Sequence, residues 1–310
     1  MYHLHAALTD LVVADPRAAA ALPRLPVLER LLARAERGTA DADWRRWALS
    51  LAGLAAPAGD LPAGRTIAAR AGLTVAPDSS WFVATPIRLV AGPSSVHFDP
   101  AGPLRLEAAV ASALAARFAA EWHDDSLSLV ADGGLLLLRL AGEVDVTTRD
   151  PAQLAGANLA AGAPHGPDAG RLQRLMTELQ MWLHPFALRD RVGRPLNGLW
   201  LWGGGRGALS GEPHWPVLGC DDPFLAAAAG ELAGAVAGRL LDAFSVADLV
   251  RAGGSVADAD ERWFAPLAAR LADGELSSVQ IHCAGSVHTL RAWHQWRGWR
   301  RTRPWWERIG

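Results

Sequence analysis

The stretch "PLNGLWLWGGG", residues 195–205, decides how the second half of the chain is built. Trp200 and Trp202 alternate with two leucines, so the tryptophans share one face of a strand and the leucines share the other. A strand that is apolar on both faces is typical of an interior strand covered by helices. Asn197 precedes it in apolar surroundings and therefore needs hydrogen-bonding partners, either structural or functional.

Three glycines and then Arg206 follow this strand. The backbone N–H groups of such a loop can cradle an anion, with the arginine as counter-charge, or the glycines can serve only a tight turn. A dinucleotide site or P-loop is disfavoured, because both start a helix directly after the glycines and the P-loop also needs a lysine. Here "ALSGEP" follows, and the chain contains no lysine. The candidate ligand-binding residues of this segment are Asn197, Trp200, Trp202, Gly203, Gly204, Gly205 and Arg206.

The composition predicts a folded, cytoplasmic chain. Of the 310 residues, 50% are hydrophobic and 20% are charged, which is enough apolar material for a packed core. A net charge of −2 gives no global reason to bind nucleic acid. Two cysteines without CxxC spacing exclude a disulfide framework and fit a reducing compartment. The N-terminus does not match a signal peptide, and the most apolar segment, 224–244, holds too many charges to span a bilayer.

Periodicity along the chain predicts an α/β protein in two regions. Helical spacing of apolar residues occurs at 25–37, 43–54, 104–122, 171–183 and 224–243. Strand-like runs occur at 81–90, 126–130, 135–140, 199–202 and 277–285, and the second and third of these form a hairpin. A Gly/Ala/Pro-rich segment at 154–170 predicts the boundary between an α+β region, 1–165, and an α/β region, 166–310. The alternation of strands and helices in the second region favours a layered, mostly parallel sheet flanked by helices.

Two further polar features are candidates for a site. The helix at 171–183 carries Glu178 and closes at His184, where a positive charge is favoured by the helix dipole. Both side chains are interpreted either as solvated surface or as part of a ligand site. The histidines are scattered and form no HExxH or CxxC…H pattern, and no GxSxG elbow is present.

The C-terminal segment 290–308 holds five tryptophans and six arginines. Interleaved Trp and Arg side chains can seat a partner, or they can belong to a terminal helix whose tryptophans dock on the body of the protein while the arginines rim it. The docked helix is the favoured interpretation. The interface candidates are Trp293, Trp296, Trp299, Arg300 and Trp305.

Several segments resemble the RpfE-type regulatory proteins of proteobacteria, which are often labelled cofactor-independent phosphoglycerate mutases. The resemblance lies in "LMTELQMWLHPFALRDRVGRPLNGLWLWGGG" (175–205), "WFVATPIRL" (81–89), "CDDPFLAAAAG" (220–230) and the Trp/Arg-rich ending. It implies a degenerate form of the alkaline-phosphatase and phosphoglycerate-mutase fold. Thr85, Arg88 and Thr177 depart from the family pattern, at positions where the family has Asp, His and Asn.

The resemblance implies a non-catalytic regulatory or binding protein, because the Asp and His motifs that hold two metals in the archaeal-type mutases are missing here. Its partner would be a protein or a small anionic ligand, with no cofactor, no nucleic acid and no membrane. One alternative is an active mutase or phosphatase with a rearranged Mn or Zn site. Another is a subunit of an assembly that uses the Trp-rich tail. The ligands of the rearranged site would be Asp221, Asp222, His214, His282 and His288.

Overall fold

A computed structural model describes residues 2–10, 22–122, 126–230, 236–245, 248–249 and 252–309. The chain divides into two compact units, the first formed by Met1–Ala55 and Gly211–Gly310 and the second by Ala56–Ser210. The two ends of the sequence therefore build one unit, and the middle builds the other. The boundary predicted at 165/166 lies inside the second unit.

The elements are numbered in chain order. The strands are β1 (Tyr2–Leu8), β2 (Glu36–Thr39), β3 (Leu54–Ala55), β4 (Ser79–Ile87), β5 (Leu89–Ala91), β6 (Val96–Phe98), β7 (Leu127–Asp132), β8 (Leu135–Ala141), β9 (Gly198–Trp202), β10 (Ser210–Gly211), β11 (Pro216–Leu218), β12 (Val236–Phe244), β13 (Leu276–Cys283) and β14 (Ser286–Arg291). The α-helices are α1 (Pro26–Arg34), α2 (Trp44–Leu51), α3 (Ala63–Arg70), α4 (Ala108–Glu121), α5 (Ala169–Leu183), α6 (Pro223–Ala229) and α7 (Ala265–Ala272).

The first unit contains a six-stranded mixed sheet in the order β11-β12-β1-β13-β14-β2. Strands β11, β12, β1 and β13 run parallel, whereas β14 and β2 are antiparallel to their neighbours. Helices α1 and α7 pack on it around Leu4, Leu28, Phe264 and Ile281, all of which are buried. The α/β class is confirmed, and the parallel part of the sheet is built from both ends of the chain.

The second unit contains a four-stranded antiparallel sheet in the order β7-β8-β4-β9. The prediction that the Trp200 strand is an interior strand of a mostly parallel sheet is therefore wrong. Among the described strands, β9 is the last one of this sheet and pairs only with β4, with Val83 opposite Trp202 and Thr85 opposite Trp200. All five of its residues are nevertheless buried, because α5 packs against it. Burial on both faces was predicted correctly, but it does not identify a central strand.

The prediction of a single helix at 224–243 is also wrong. Helix α6 ends at Ala229, and Gly230 adopts φ +65°, a left-handed conformation that stops helices. The described residues after it form β12, in which Leu240 and Leu241 lie between β1 and β11. Alanine and leucine do not distinguish a helix from a buried strand, and the pairing with β1 decides the outcome. Residues 231–235 of the predicted helix lie outside the described residues.

Several other elements agree with the expectations from the sequence. Helix α2 begins at Asp43, whose carboxylate accepts a hydrogen bond from the Arg45 N–H at 2.8 Å, as expected of an N-cap. The predicted hairpin is β7-β8, and Gly133 in its turn has φ +57°. Pro86 is tolerated in β4 because that end of the strand pairs with β9 and not with β8. In the described part of the chain, no helix has the length and apolarity needed to cross a bilayer.

Candidate functional site

The glycines after β9 are held by hydrogen bonds within the second unit. The Gly203 N–H donates to Thr148 Oγ1 at 2.9 Å, the Gly204 N–H to Asp60 Oδ2 at 3.3 Å, and the Gly205 N–H to the Leu61 carbonyl at 2.9 Å. An anion in this loop would have to displace all three bonds. The anion cradle considered above is therefore not formed, and the tight-turn interpretation describes the geometry.

Close packing explains why these three residues are glycines. A Cβ on Gly204 would lie 2.1 Å from the Phe82 ring, and one on Gly205 would lie 2.0 Å from the Asp60 carbonyl oxygen. Gly203 has φ +71°, and its Cβ would lie 2.6 Å from that of Ala63. Each position thus excludes a side chain for a steric reason that needs no ligand.

Asp60 is the polar group that organises this loop. Its carboxylate accepts hydrogen bonds from the Thr148 hydroxyl, from the Gly204 N–H and, at 3.0 Å, from the Leu61 N–H. Burial raises the pKa of Asp60 to about 6, and the hydrogen bonds oppose that rise. Neither Asp60 nor Thr148 was singled out from the sequence, because both lie in segments that look like ordinary loops.

Asn197 has a structural role. Its Oδ1 accepts from the Leu89 N–H at 2.7 Å, and its Nδ2 donates to the Leu89 carbonyl at 2.8 Å. The side-chain amide therefore pairs with the backbone of β5 as a neighbouring strand residue would. This satisfies the hydrogen-bonding requirement predicted for an Asn beside an apolar strand.

The two tryptophans of β9 are core residues whose indole N–H groups have partners. Trp200 Nε1 donates to the Arg149 carbonyl at 2.9 Å, and Trp202 Nε1 donates to Thr85 Oγ1 at 2.8 Å. Thr85, one of the departures from the family pattern, is thus the hydrogen-bond acceptor for Trp202. The core interpretation of both tryptophans accounts for these contacts.

The remaining candidates of this unit lie on the surface. Arg206 Nη1 forms an ion pair with Glu143 Oε2 at 2.9 Å, and both side chains are exposed. Glu178 and His184 are exposed residues of α5 and of its C-terminal end. The Asn197 amide instead pairs with the Leu89 backbone, and Trp200 and Trp202 are buried. The structure therefore does not bring the predicted ligand-binding residues together in one site.

The alternative metal set does not converge either. Asp222 caps α6 by accepting from the Leu225 N–H at 2.9 Å, and its other oxygen pairs with Arg45 at 2.8 Å. His214 Nδ1 lies 2.8 Å from the Glu212 carbonyl oxygen, on the surface. Asp221 is exposed. Across the described residues, no three His, Cys, Asp or Glu side chains are grouped so that they could hold a metal ion.

His282 and His288 are buried on opposite faces of the β13-β14 pair. The register sets His282 opposite Val287 and His288 opposite Ile281, so the two imidazoles point to different sides of the sheet. His282 stacks on Trp47 at 4.8 Å between ring centroids, and its Nε2 lies 2.7 Å from the Asp41 carbonyl oxygen. Separation by the sheet is the reason that these two predicted ligands cannot share a metal.

His5 belongs to the same face as His282 and was not singled out from the sequence. It packs edge-on against Trp47, and its Nδ1 lies 2.9 Å from Gln280 Oε1. Burial lowers the pKa values of His5 and His288 to about 4 and also lowers the pKa of His282. These histidines are therefore neutral core residues at physiological pH.

The C-terminal segment differs from the predicted docked helix. It forms two short 3-10 helices, Ala292–Trp296 and Trp305–Glu307. Trp305 is the tryptophan that docks, being 1% exposed, whereas Trp293, Trp296 and Trp299 are 52%, 84% and 76% exposed. The interpretation that these three pack on the body is therefore wrong. His294 between them is fully buried, so the segment is anchored through that residue instead.

No protein-family model matches the chain, and no curated protein matches it by sequence. Among solved structures, the chain is similar to the PH0037 protein from Pyrococcus horikoshii, with 12% sequence identity and a TM-score of 0.38. That match covers 93% of this chain and 86% of the other.

Proposed function

We propose that this chain is a cytoplasmic binding or regulatory protein that does not carry out metal-dependent phosphoryl transfer. The motifs quoted for the RpfE-type proteins support a relation to that group and to a degenerate phosphoglycerate-mutase-like fold. The proposal rests on the contacts of the side chains predicted as metal ligands, which serve structural roles. Asp222, the buried acidic candidate, forms an ion pair with Arg45 and caps a helix.

The same reasoning favours a protein partner over a small anion. The glycine N–H groups that would bind an anion already donate to Thr148, Asp60 and Leu61. Arg206, the predicted counter-charge, is paired with Glu143. A small anion would therefore have to break several hydrogen bonds before gaining any, which weakens this version of the function.

A coupled assay of 3-phosphoglycerate conversion with Mn²⁺ or Zn²⁺ supplied tests the proposal. We expect no turnover above a protein-free blank, and no rise in melting temperature on addition of either metal or of inorganic phosphate. Asp221→Asn and Asp222→Asn are assayed in parallel at a temperature at which both remain folded. Turnover above the protein-free blank would overturn the proposal, and its loss in Asp221→Asn or Asp222→Asn would show that a metal site supplies it.

A further inference from the structure

The exposed tryptophans of the C-terminal segment form the most unusual surface of the described residues. We refer to Trp293, Trp296 and Trp299, with the arginines between 291 and 303, as the Trp/Arg surface. A tryptophan that becomes buried removes about 150–250 Å² from water, so leaving three of them exposed forgoes a large hydrophobic gain. Contiguous exposed apolar patches larger than a few hundred Å² mark interaction sites on soluble proteins.

Side chains of this segment anchor it within the first unit. Arg297 Nη1 donates to the Arg34 carbonyl at 3.3 Å, and Arg300 Nη1 donates to the Ala35 carbonyl at 2.9 Å. Trp305 donates from Nε1 to the Pro23 carbonyl at 2.9 Å and from its backbone N–H to Glu29 Oε1 at 3.3 Å. The tryptophans are therefore presented by an anchored scaffold, which lowers the entropy cost of binding.

Two of the exposed tryptophans are three residues apart in one 3-10 helix. In a 3-10 helix, side chains three residues apart lie above one another, so Trp293 and Trp296 share one side of the helix Ala292–Trp296. The Arg297 guanidinium carbon lies 4.6 Å from the centre of the Trp293 ring, a cation–π contact. The surface thus combines flat aromatic area with guanidinium groups beside it.

The charge of the surface is one-sided. Residues 291–303 contain five arginines and no acidic residue. Glu36 of β2 pairs with the segment, lying 2.9 Å from Arg297 Nη2, 3.3 Å from His294 Nε2 and 3.6 Å from Arg291 Nη1. Arg300 and Arg301 are exposed as well. A second glutamate, Glu307, lies 3.9 Å from Arg303 Nη1. Two glutamates against five arginines leave the surface positive on a chain whose net charge is −2.

We infer that the Trp/Arg surface binds an acidic segment of a partner protein, with an apolar side chain seated among the tryptophans and carboxylates on the arginines. Aromatic residues and Arg are the types most enriched where protein interfaces concentrate their binding energy. This inference rests on the proposed binding function and names its site and the chemistry of its partner.

Other occupants fit the observations less well. A second copy in a two-fold contact would bring the same arginines face to face, which is unfavourable. Nucleic acid binding needs many phosphate contacts along a track, and the overall negative charge of the chain opposes it.

Fluorescence anisotropy with a labelled peptide that alternates Asp or Glu with Leu or Phe tests the inference. A peptide of the same apolar sequence with Lys at the acidic positions is the matched probe. The double variant Trp296→Ala/Trp299→Ala removes exposed rings and is compared with Met181→Ala/Val192→Ala, which removes exposed apolar side chains of the second unit. Circular dichroism is used to verify that both variants remain folded.

We expect the acidic peptide to bind the wild type and the control alike, and the tryptophan variant at least about 30-fold more weakly. Affinity should fall as salt rises, because exposed charges are screened. Equal binding of the basic peptide, or unchanged affinity in the tryptophan variant, would overturn the inference. So would tryptophan-dependent binding of a single-stranded RNA or of anionic vesicles, or self-association through this surface. Mutase turnover would disprove the proposed function whatever the peptide does, so the two failures are distinguishable.

Discussion

Substitution of Asp222 tests whether this carboxylate is a structural residue or a metal ligand. Its Oδ2 accepts from Arg45 Nε at 2.9 Å and lies 2.8 Å from Arg45 Nη2, while Oδ1 accepts from the Leu225 N–H at 2.9 Å. Both side chains of the ion pair are 7% exposed. Removing one partner of a buried pair leaves an uncompensated charge in the interior and typically costs about 3–5 kcal/mol.

Asp222→Asn separates the two roles of the side chain. Asn is a good N-cap, so the hydrogen bond to Leu225 is kept while the charge that compensates Arg45 is lost. We expect the free energy of unfolding to fall by about 3–5 kcal/mol, and by about 1 kcal/mol more in Asp222→Ala, which also loses the cap. The neighbouring Asp221 is exposed, so Asp221→Asn should change stability by no more than about 0.5 kcal/mol.

Urea unfolding followed by far-UV circular dichroism gives these free energies from the midpoint and slope of each transition. The double variant Arg45→Met/Asp222→Asn removes both charges and should recover a large part of the loss, because no buried charge is then left alone. Equal stability of Asp222→Asn and wild type would refute the reasoning. A metal that raises the melting temperature of the wild type but not of Asp222→Asn would refute it as well.

Two other predictions concern the buried histidines and the glycine loop. The folded-state pKa values of His5 and His288, about 4, lie below the unfolded value of about 6.5, so the stability due to the neutral rings is full above the unfolded value and is lost as the pH falls towards 4. At a pH of about 5, each buried ring should lower the free energy of unfolding by about 2 kcal/mol relative to neutral pH. His288→Gln should therefore make the melting temperature depend less on pH between about 4 and 6.5. Gly204→Ala should destabilise the protein by about 3 kcal/mol, because its Cβ would meet the Phe82 ring at 2.1 Å. Gly170→Ala, in α5 with nothing within 4 Å of its Cβ, should instead be neutral or stabilising by up to about 1 kcal/mol, and equal effects of the two changes in urea unfolding would contradict the packing argument.

Local signals in the sequence were sufficient for several elements. The Asp43 cap, the hairpin turn at Gly133 and the leucine spacing of α1 all depend on residues within a few positions of one another. The sheet arrangement depends on distant pairing, such as His3 with Arg239 and Ala7 with His282. No local pattern encodes these pairs, so the grouping of both chain ends into one unit could not be predicted.

The glycine loop after β9 also depends on contacts with residues that are distant in the sequence. A run of glycines after a strand shows that the backbone N–H groups of the loop are accessible to an acceptor, but it does not show which acceptor binds them. The acceptor for Gly204 is Asp60, 144 positions away, and the acceptor for Gly203 is Thr148, 55 positions away. An anion-binding loop and a loop filled by the protein's own carboxylate have the same glycines. The difference is the side chain that reaches the N–H groups, and only the fold supplies it.

In the C-terminal segment, exposure does not follow hydrophobicity. The sequence favoured tryptophans that dock and arginines that remain in water, yet Arg297 is largely buried while Trp296 and Trp299 are exposed. Arg297 and Arg300 bond to carbonyl groups at the end of α1, the point at which a helix leaves acceptors unsatisfied and attracts cations. With Arg297 largely buried and the exposed Arg300 bonded to the Ala35 carbonyl, the tryptophans of the segment remain exposed. The anchoring arginines and the exposed rings are therefore one arrangement, and this arrangement is why the surface is the part of the first unit that we expect a partner to bind.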